Sequence, residues 1–492
     1  MKSIPGRSRG ISRRRFLRTA LAGTGAVVAA PVIWRRPGWT AVTPQGVHLT
    51  YGADPATQMT ISWSTPGMVS GPSVRFAPSP NAYGSPIPAE RTRAVEATLP
   101  IYENSPSLYH HVRLEGLAPA TSYSYRVEHV GGMSGDSTFT TAPATPAPFT
   151  FTAFGDQGVG AGAASTTNRV GEIAPAFHFH VGDLCYAHTV IGIGLVGPTT
   201  QATWDAWFEQ IRPVAATAPW MTAVGNHEME PGYGDLGYGG YLSRFSLPAG
   251  DDVTYYSFRY GNVGFVTLDA NDASYEIPHN QCYTSGAQDQ WLRETLEDLR
   301  ADSAIDFIVV GFHHCAYCTN AVHASDAGVR DRWGALFDEF NVDLVINGHN
   351  HCYERTHPLR GGVPTAEVGL SGTVHPVDDG TTYVTAGGGG SQPYPVSLHP
   401  VSYVSITGGL RVPESADWSS VRANELTVLE VTVTPPAGAG EVTALRVRSV
   451  RPDGGVIDDF VVERNQGSRY AQSGPSPEPA IPYLCIGSLP VG

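Results

Sequence analysis

Phe149-Thr150-Phe151-Thr152-Ala153-Phe154-Gly155-Asp156 is an apolar, strand-like run that ends on a glycine and a carboxylate, and the pattern returns four times downstream. Ala176–Val181 leads to Gly182-Asp183-Leu184-Cys185-Tyr186, and Trp220–Val224 to Gly225-Asn226-His227-Glu228. Phe307–Val310 leads to His313-His314, and Leu344–Ile346 to Gly348-His349-Asn350-His351. Between these runs lie helix-spaced apolar stripes: Trp204, Trp207, Phe208 and Ile211; Trp291, Leu292, Leu296 and Leu299; Val329, Trp333, Leu336, Phe337 and Phe340. Each stripe reads as core packing. Strands alternating with helices predict an α/β core whose ligands sit just beyond the carboxyl ends of the strands.

An Asp after one strand would ordinarily be a turn or a helix cap. Five successive strand ends, each offering a carboxylate, amide or imidazole and four of them led by a glycine that lets backbone approach closely, point instead to a shared site.

The five blocks resemble the metallophosphoesterase superfamily, and Tyr186, three residues after Asp183, narrows the resemblance to the purple acid phosphatases. That family's pattern is GDxG, GDxxY, GNH(D/E), VxxH and GHxH. Here it stands as Gly155–Gly158, Gly182–Tyr186, Gly225–Glu228, Val310–His313 and Gly348–His351, followed by Tyr353-Glu354-Arg355. The resemblance implies a ferric ion, Fe(3+), held by Asp156, Asp183, Tyr186 and His351. It implies a second, divalent metal (Zn, Fe or Mn) held by Asp183, Asn226, His313 and His349, with Asp183 bridging the two. The donor chemistry agrees, since phenolate and carboxylates are hard anionic ligands and imidazoles with an amide oxygen suit a divalent ion. It further implies that His227 and His323 line the phosphate pocket as general acid or charged donor, with His314 ranked behind them. Glu228 reads as an orienter of His227 or of a metal-bound water. The implied activity is acid phosphatase hydrolysis of phosphomonoesters. A phosphodiesterase or nucleotide hydrolase on the same scaffold stays open, as does a non-catalytic cell-surface binding protein.

Working outward, Val47–Thr140 alternates in short strands, with Met59, Ile61 and Trp63 on one face of a strand and Tyr123, Tyr125 and Val127 on one face of another. Leu117–Tyr123 looks like the tyrosine corner of a fibronectin type III sandwich. An all-β, fibronectin III-like sandwich is therefore expected over 43–143, and Thr141–Pro148 as a stiff extended connector. The catalytic domain is expected over 149–464 and a loose tail over 465–492. In the first 42 residues, Ser12-Arg13-Arg14-Arg15-Phe16-Leu17 before the small apolar run Ala20–Ile33 reads as twin-arginine export, giving a secreted, cell-wall or periplasmic protein with no membrane span once the signal is removed.

Acidic residues (45) outnumber basic ones (31), and seven of the basic ones fall in the first thirty residues. Such a surface repels nucleic acid and anionic lipid as bulk partners, so a phosphate ester must be drawn in by a local positive centre such as a metal. Six cysteines permit disulfides; Cys315 and Cys318 read as a local pair or inert thiols, and Cys185 and Cys352 as residues that meet near the metal.

Overall fold

The computed structural model describes residues 42–98, 104–191, 195–250, 252–320, 322–396, 401–436, 438 and 441–465. The export stretch Ser12–Ile33 and Cys485 lie outside these residues. Among the described residues, no helix is long and apolar enough to cross a membrane.

The five apolar runs form strands, but they divide between two seven-stranded sheets. In the first sheet Phe149–Phe154, His178–His180 and Trp220–Thr222 are parallel, with Thr152 opposite His178 and His178 opposite Trp220. Val428–Thr434, Val442–Val450 and Val456–Asn465 extend it in antiparallel order. In the second sheet Val263–Thr267, Phe307–Phe312, Leu344–Asn347 and Thr382–Ala386 are parallel neighbours. Within each sheet the ligand-bearing strands therefore run the same way, and their carboxyl ends lie along one edge.

Aromatic rings hold the sheets face to face. Phe265 of the second sheet meets Phe151 and Phe177 edge-on, each at 5.0 Å. Gly311 leaves room for Phe179 of the first sheet, since a Cβ there would lie 2.4 Å from its ring. Burying each such ring is worth about 1.5–3 kcal/mol. The apolar stripes form the outer helices Gln201–Ala215 and Ala287–Ala301, their side chains buried as the helical spacing requires except Trp291, which is partly buried against the core. The third stripe, Ala327–Glu339, is helical throughout but passes through a π turn at Arg330–Gly334.

The N-terminal strands form a four-stranded and a five-stranded sheet. The tyrosine corner is present: the Ala118 N–H donates to Tyr123 Oη at 2.8 Å. Met59–Thr65 is buried at all seven positions, not only at alternate ones, because its sheet is covered by the α/β part on the second face. Thr50 Oγ1 donates to the Ser246 carbonyl at 2.6 Å, and Gln201 Nε2 to Tyr109 Oη at 2.8 Å. The connector Thr141–Pro148 is tied down at its start, where Thr141 and Ala142 are buried and the Ala142 N–H donates to the Pro55 carbonyl at 3.0 Å.

That covered face carries buried, neutral histidines. His111 Nδ1 accepts from Ser62 Oγ at 2.8 Å and Nε2–H donates to the Ser243 carbonyl at 3.1 Å. Burial, followed by Arg91, pushes its pKa well below the ordinary value, and burial lowers that of His48, on the same face, to about 4. In the unfolded chain both take up protons near pH 6.5. Between pH 6.5 and 4 the unfolded state thus binds more protons, so their contribution is present above that window and lost as pH falls. His111→Gln is accordingly expected to destabilise the protein more at pH 7 than at pH 4.5, read from urea midpoints. A penalty that grows on acidification would contradict this.

Candidate metal centre

Each candidate ligand stands where a strand gives way to a sharp turn. Asp156, Asp183, Tyr186 and His349 all have positive φ, between 54° and 67°, a conformation uncommon for residues with a side chain and concentrated at functional sites. The glycines in front of them allow the turns to touch. A Cβ on Gly225 would lie 2.1 Å from Asp183 Oδ1, and one on Gly348 would lie 2.6 Å from Asp156 Oδ2.

The seven side chains converge. Tyr186 Oη lies 3.1 Å from Asp156 Oδ1 and 2.9 Å from His351 Nε2. On the other side, His313 Nε2 lies 3.1 Å from Asn226 Oδ1 and 3.3 Å from His349 Nδ1. Asp183 sits between the halves, Oδ1 being 3.3 Å from His313 Nε2, and it groups with Asp156 and His313 within 4.8 Å.

Each imidazole is aimed by its other nitrogen. His313 Nδ1 donates to the Val181 carbonyl and His351 Nδ1 to that of Gln392, both at 2.9 Å. His349 Nε2 donates to Glu276 Oε2 at 3.3 Å. Anchoring one nitrogen so that the other faces inward is how metal-binding histidines are held.

The donor set fits a cationic group. Carboxylate, phenol and amide oxygens face ring nitrogens, and Asp156 Oδ2 is buried with no hydrogen-bond partner. Electrostatics show the pull toward positive charge. Burial opposes charging His313, yet Asp183 and Asp156 raise its pKa to about 10. Burial likewise opposes ionising Asp183, but His313 and His227 hold its carboxyl well below the usual range. Phenolate, carboxylates and one imidazole on one side, and two imidazoles and an amide on the other, match a hard ion and a borderline divalent one.

The three candidate catalytic histidines fare differently. His227 flanks the cluster, its N–H donating to Asp183 Oδ1 at 2.9 Å, its ring edge-on to Tyr186 and stacked 4.5 Å from His188. His323 lies on the opposite flank, its ring 4.0 Å from that of His349 and its Nδ1–H donating to Glu276 Oε1 at 2.9 Å. His314 stands apart from the other two: it is wholly buried against His349, and neither ring nitrogen reaches solvent or a protein hydrogen-bond partner.

Glu228 also departs from expectation. Its carboxylate accepts the N–H groups of Asp183 (2.8 Å), Leu184 (2.9 Å) and Gly225 (2.7 Å), tying two ligand turns together instead of orienting His227. Cys352 does not meet Cys185: its Sγ lies 3.8 Å from Cys318 Sγ in a buried cluster with Cys315.

Sequence reasoning missed Glu276, His188 and Tyr394, the last stacked 3.9 Å above His351. The run Gly387-Gly388-Gly389-Gly390 after the strand Thr382–Ala386 was the available signal for that side of the centre. A Cβ on Gly387 would lie 2.1 Å from the Asn350 carbonyl and 2.8 Å from Asp156 Oδ2.

Comparison with known proteins matches residues 44–141 to the purple acid phosphatase N-terminal domain and residues 149–353 to the calcineurin-like phosphoesterases. An uncharacterized protein of Mycobacterium tuberculosis is 32% identical over 93% of this chain and 97% of its own. Purple acid phosphatase 23 of Arabidopsis thaliana is 30% identical over 58% of this chain and 63% of its own. Among solved structures, a purple acid phosphatase from yellow lupin seeds shares the fold, with a TM-score of 0.68 at 21% identity, covering 87% of this chain and 75% of its own. The chain, with its all-β N-terminal domain and its α/β phosphoesterase domain, belongs to the purple acid phosphatases.

Proposed function

We propose that this protein hydrolyses phosphomonoesters at a dinuclear metal centre, Asp156, Asp183, Tyr186 and His351 holding iron(III) and Asp183, Asn226, His313 and His349 a divalent zinc, iron or manganese ion. The observation that carries the reading is the meeting of seven side chains from five strand ends in two chemically distinct halves, with Asp183 between them. Such a pair, when bound, supplies Lewis acidity toward water and toward the phosphoryl oxygens.

The chain's own residues supply the rest. Asp183, held by Glu228 through its backbone, keeps the halves in register. His227 and His323 stand on opposite flanks, so one imidazole is available to hydrogen-bond a phosphoryl oxygen while the other delivers a proton to the leaving oxygen. We assign proton delivery to His323, because Glu276 fixes its Nδ1 as a donor and leaves Nε2 as the atom that acts. The twin-arginine stretch supports export of a protein that folds and takes up metal before crossing the membrane.

Metal analysis together with rates on p-nitrophenyl phosphate and bis-p-nitrophenyl phosphate tests the reading; two metals per chain and a monoester preference at acid pH are expected. A strong diester preference would move the assignment to a phosphodiesterase, and full activity without iron would remove iron(III) from it. His323→Ala is expected to retain both metals and to lower kcat by about 10²–10⁴-fold, more for an alkyl phosphate than for p-nitrophenyl phosphate, whose leaving group needs little protonation. Equal losses on the two substrates would remove the acid role.

A further inference from the structure

Glu276 lies in an irregular turn after the second sheet's strand Val263–Thr267, outside all five ligand blocks. Its turn is built to hold it. The buried carboxylate of Asp326 accepts Ser274 Oγ–H at 2.6 Å, the Tyr275 N–H at 3.1 Å and the Glu276 N–H at 3.0 Å. Asp326 follows His323 by three residues, so one carboxylate clamps the turn carrying Glu276 to the segment carrying His323. The Glu276 side chain is only 9% exposed, and its two oxygens serve different partners. Oε1 receives His323 Nδ1–H at 2.9 Å and Arg411 Nη2–H at 2.5 Å; Oε2 receives His349 Nε2–H at 3.3 Å. Arg411 also donates to the Val322 carbonyl at 2.9 Å, closing the network beside His323.

We propose that Glu276 is a positioning residue shared by the metal site and the proton donor: one carboxylate turns His349 Nδ1 toward the ligand cluster and His323 Nε2 toward the substrate. The assignment rests on the function proposed above. A carboxylate accepts from the two rings with separate oxygens, as Glu276 does here, whereas an amide presents one acceptor atom and one donor. Glu276→Gln keeps the shape but sets its NH2 group against one ring N–H. That ring must then move its proton to the other nitrogen or turn away. If the ring is His349, the nitrogen that faces His313 and Asn226 no longer offers a lone pair; if it is His323, Nδ1 loses the acceptor that anchors it and Nε2 is no longer held toward the substrate. In either geometry the two rings cease to be oriented together.

The test is metal retention and turnover in Glu276→Gln, His323→Ala and the double variant. A chelator titration of the zinc-loaded protein, read by metal release and without substrate, is expected to show the second ion held about 10–100-fold more weakly in Glu276→Gln and unchanged in His323→Ala. At saturating metal, Glu276→Gln is expected to lower kcat with little change in KM, and to add less than about threefold to the loss already caused by His323→Ala, since residues acting through one another are not additive. Wild-type metal retention in Glu276→Gln, or a double variant whose losses multiply in full, would overturn the proposal. The titration also separates the two readings: a wild-type chain that binds two ions but hydrolyses no monoester would refute the proposed activity, while Glu276 would still be judged by metal release.

Discussion

Asp183→Asn is expected to strip metal from both halves of the centre and to lower kcat/KM for a phosphomonoester by at least about four orders of magnitude, a loss of roughly 5 kcal/mol of transition-state stabilisation. The substitution is nearly isosteric, so the reason is charge. Asp183 is the carboxylate between the halves, close to His313, to the His227 N–H and to Asp156, and an amide there offers neither half an anionic oxygen. The turn itself should survive, because Glu228 holds it through the backbone N–H groups of Asp183 and Leu184, which the substitution leaves in place. Elemental analysis, kcat/KM and circular dichroism on the same preparation separate these effects. Retention of two metals per chain, or activity within tenfold of wild type, would refute the bridging role; loss of the folded signal would show Asp183 to be structural. His323→Ala is the contrasting variant, since it is expected to slow turnover with the metals in place.

The ligands were legible because each is adjacent in sequence to the strand that delivers it. An apolar run followed by Gly155-Asp156 or by Gly225-Asn226-His227 states both the element and the chemistry within a few residues. What holds the ligands was not legible, because it is non-local. Glu276 reaches His323 and His349 across 47 and 73 residues and carries no local mark. Glu228, inside a ligand block, reads naturally as a partner of its neighbour His227, yet it bonds to backbone more than forty residues earlier. The burial of the second face of Met59–Thr65 was not legible for a related reason. Alternation identifies one buried face, but Thr60, Ser62 and Ser64 are small polar residues equally suited to a second buried face, as Ser62 shows in meeting its cross-strand neighbour His111, which in turn reaches the Ser243 carbonyl. His314 stands next to a candidate ligand in sequence, but its ring is packed inside the protein against those of His313 and His349, 5.4 Å and 4.5 Å away.

Asp343→Ala is expected to have the largest effect on stability, at the other end of the same strand. Asp343 immediately precedes Leu344–Asn347, whereas His349 follows it, so the strand carries a structural carboxylate at its amino end and a candidate ligand at its carboxyl end. Asp343 is fully buried between two guanidinium groups: Arg300 Nη2, from the helix Ala287–Ala301, lies 2.5 Å from Oδ2, and Arg464 Nε, from the strand Val456–Asn465, donates to Oδ1. Oδ2 also accepts the Ile308 N–H at 2.7 Å. The arginines are further satisfied by carbonyls, Arg300 by Phe340 at 2.7 Å and Asp306 at 2.9 Å, and Arg464 by Asn341 at 2.7 Å. This group joins the second sheet, its covering helix and a strand of the first sheet. Removing the shared carboxylate leaves two buried cations facing each other and one buried N–H unpaired, which costs about 3–5 kcal/mol. Arg464→Met should cost less, because it leaves the Arg300–Asp343 pair intact and replaces a buried charge by an apolar chain of similar length. Urea unfolding of the two variants tests the ordering, with metal content and kcat measured on the folded fraction expected to stay near wild type. A cost below about 1 kcal/mol for Asp343→Ala, or a larger one for Arg464→Met, would show that the triad does not hold the sheets together. A selective loss of activity with stability intact would mean that the amino end of the strand is coupled to the centre, against the division of labour its position implies.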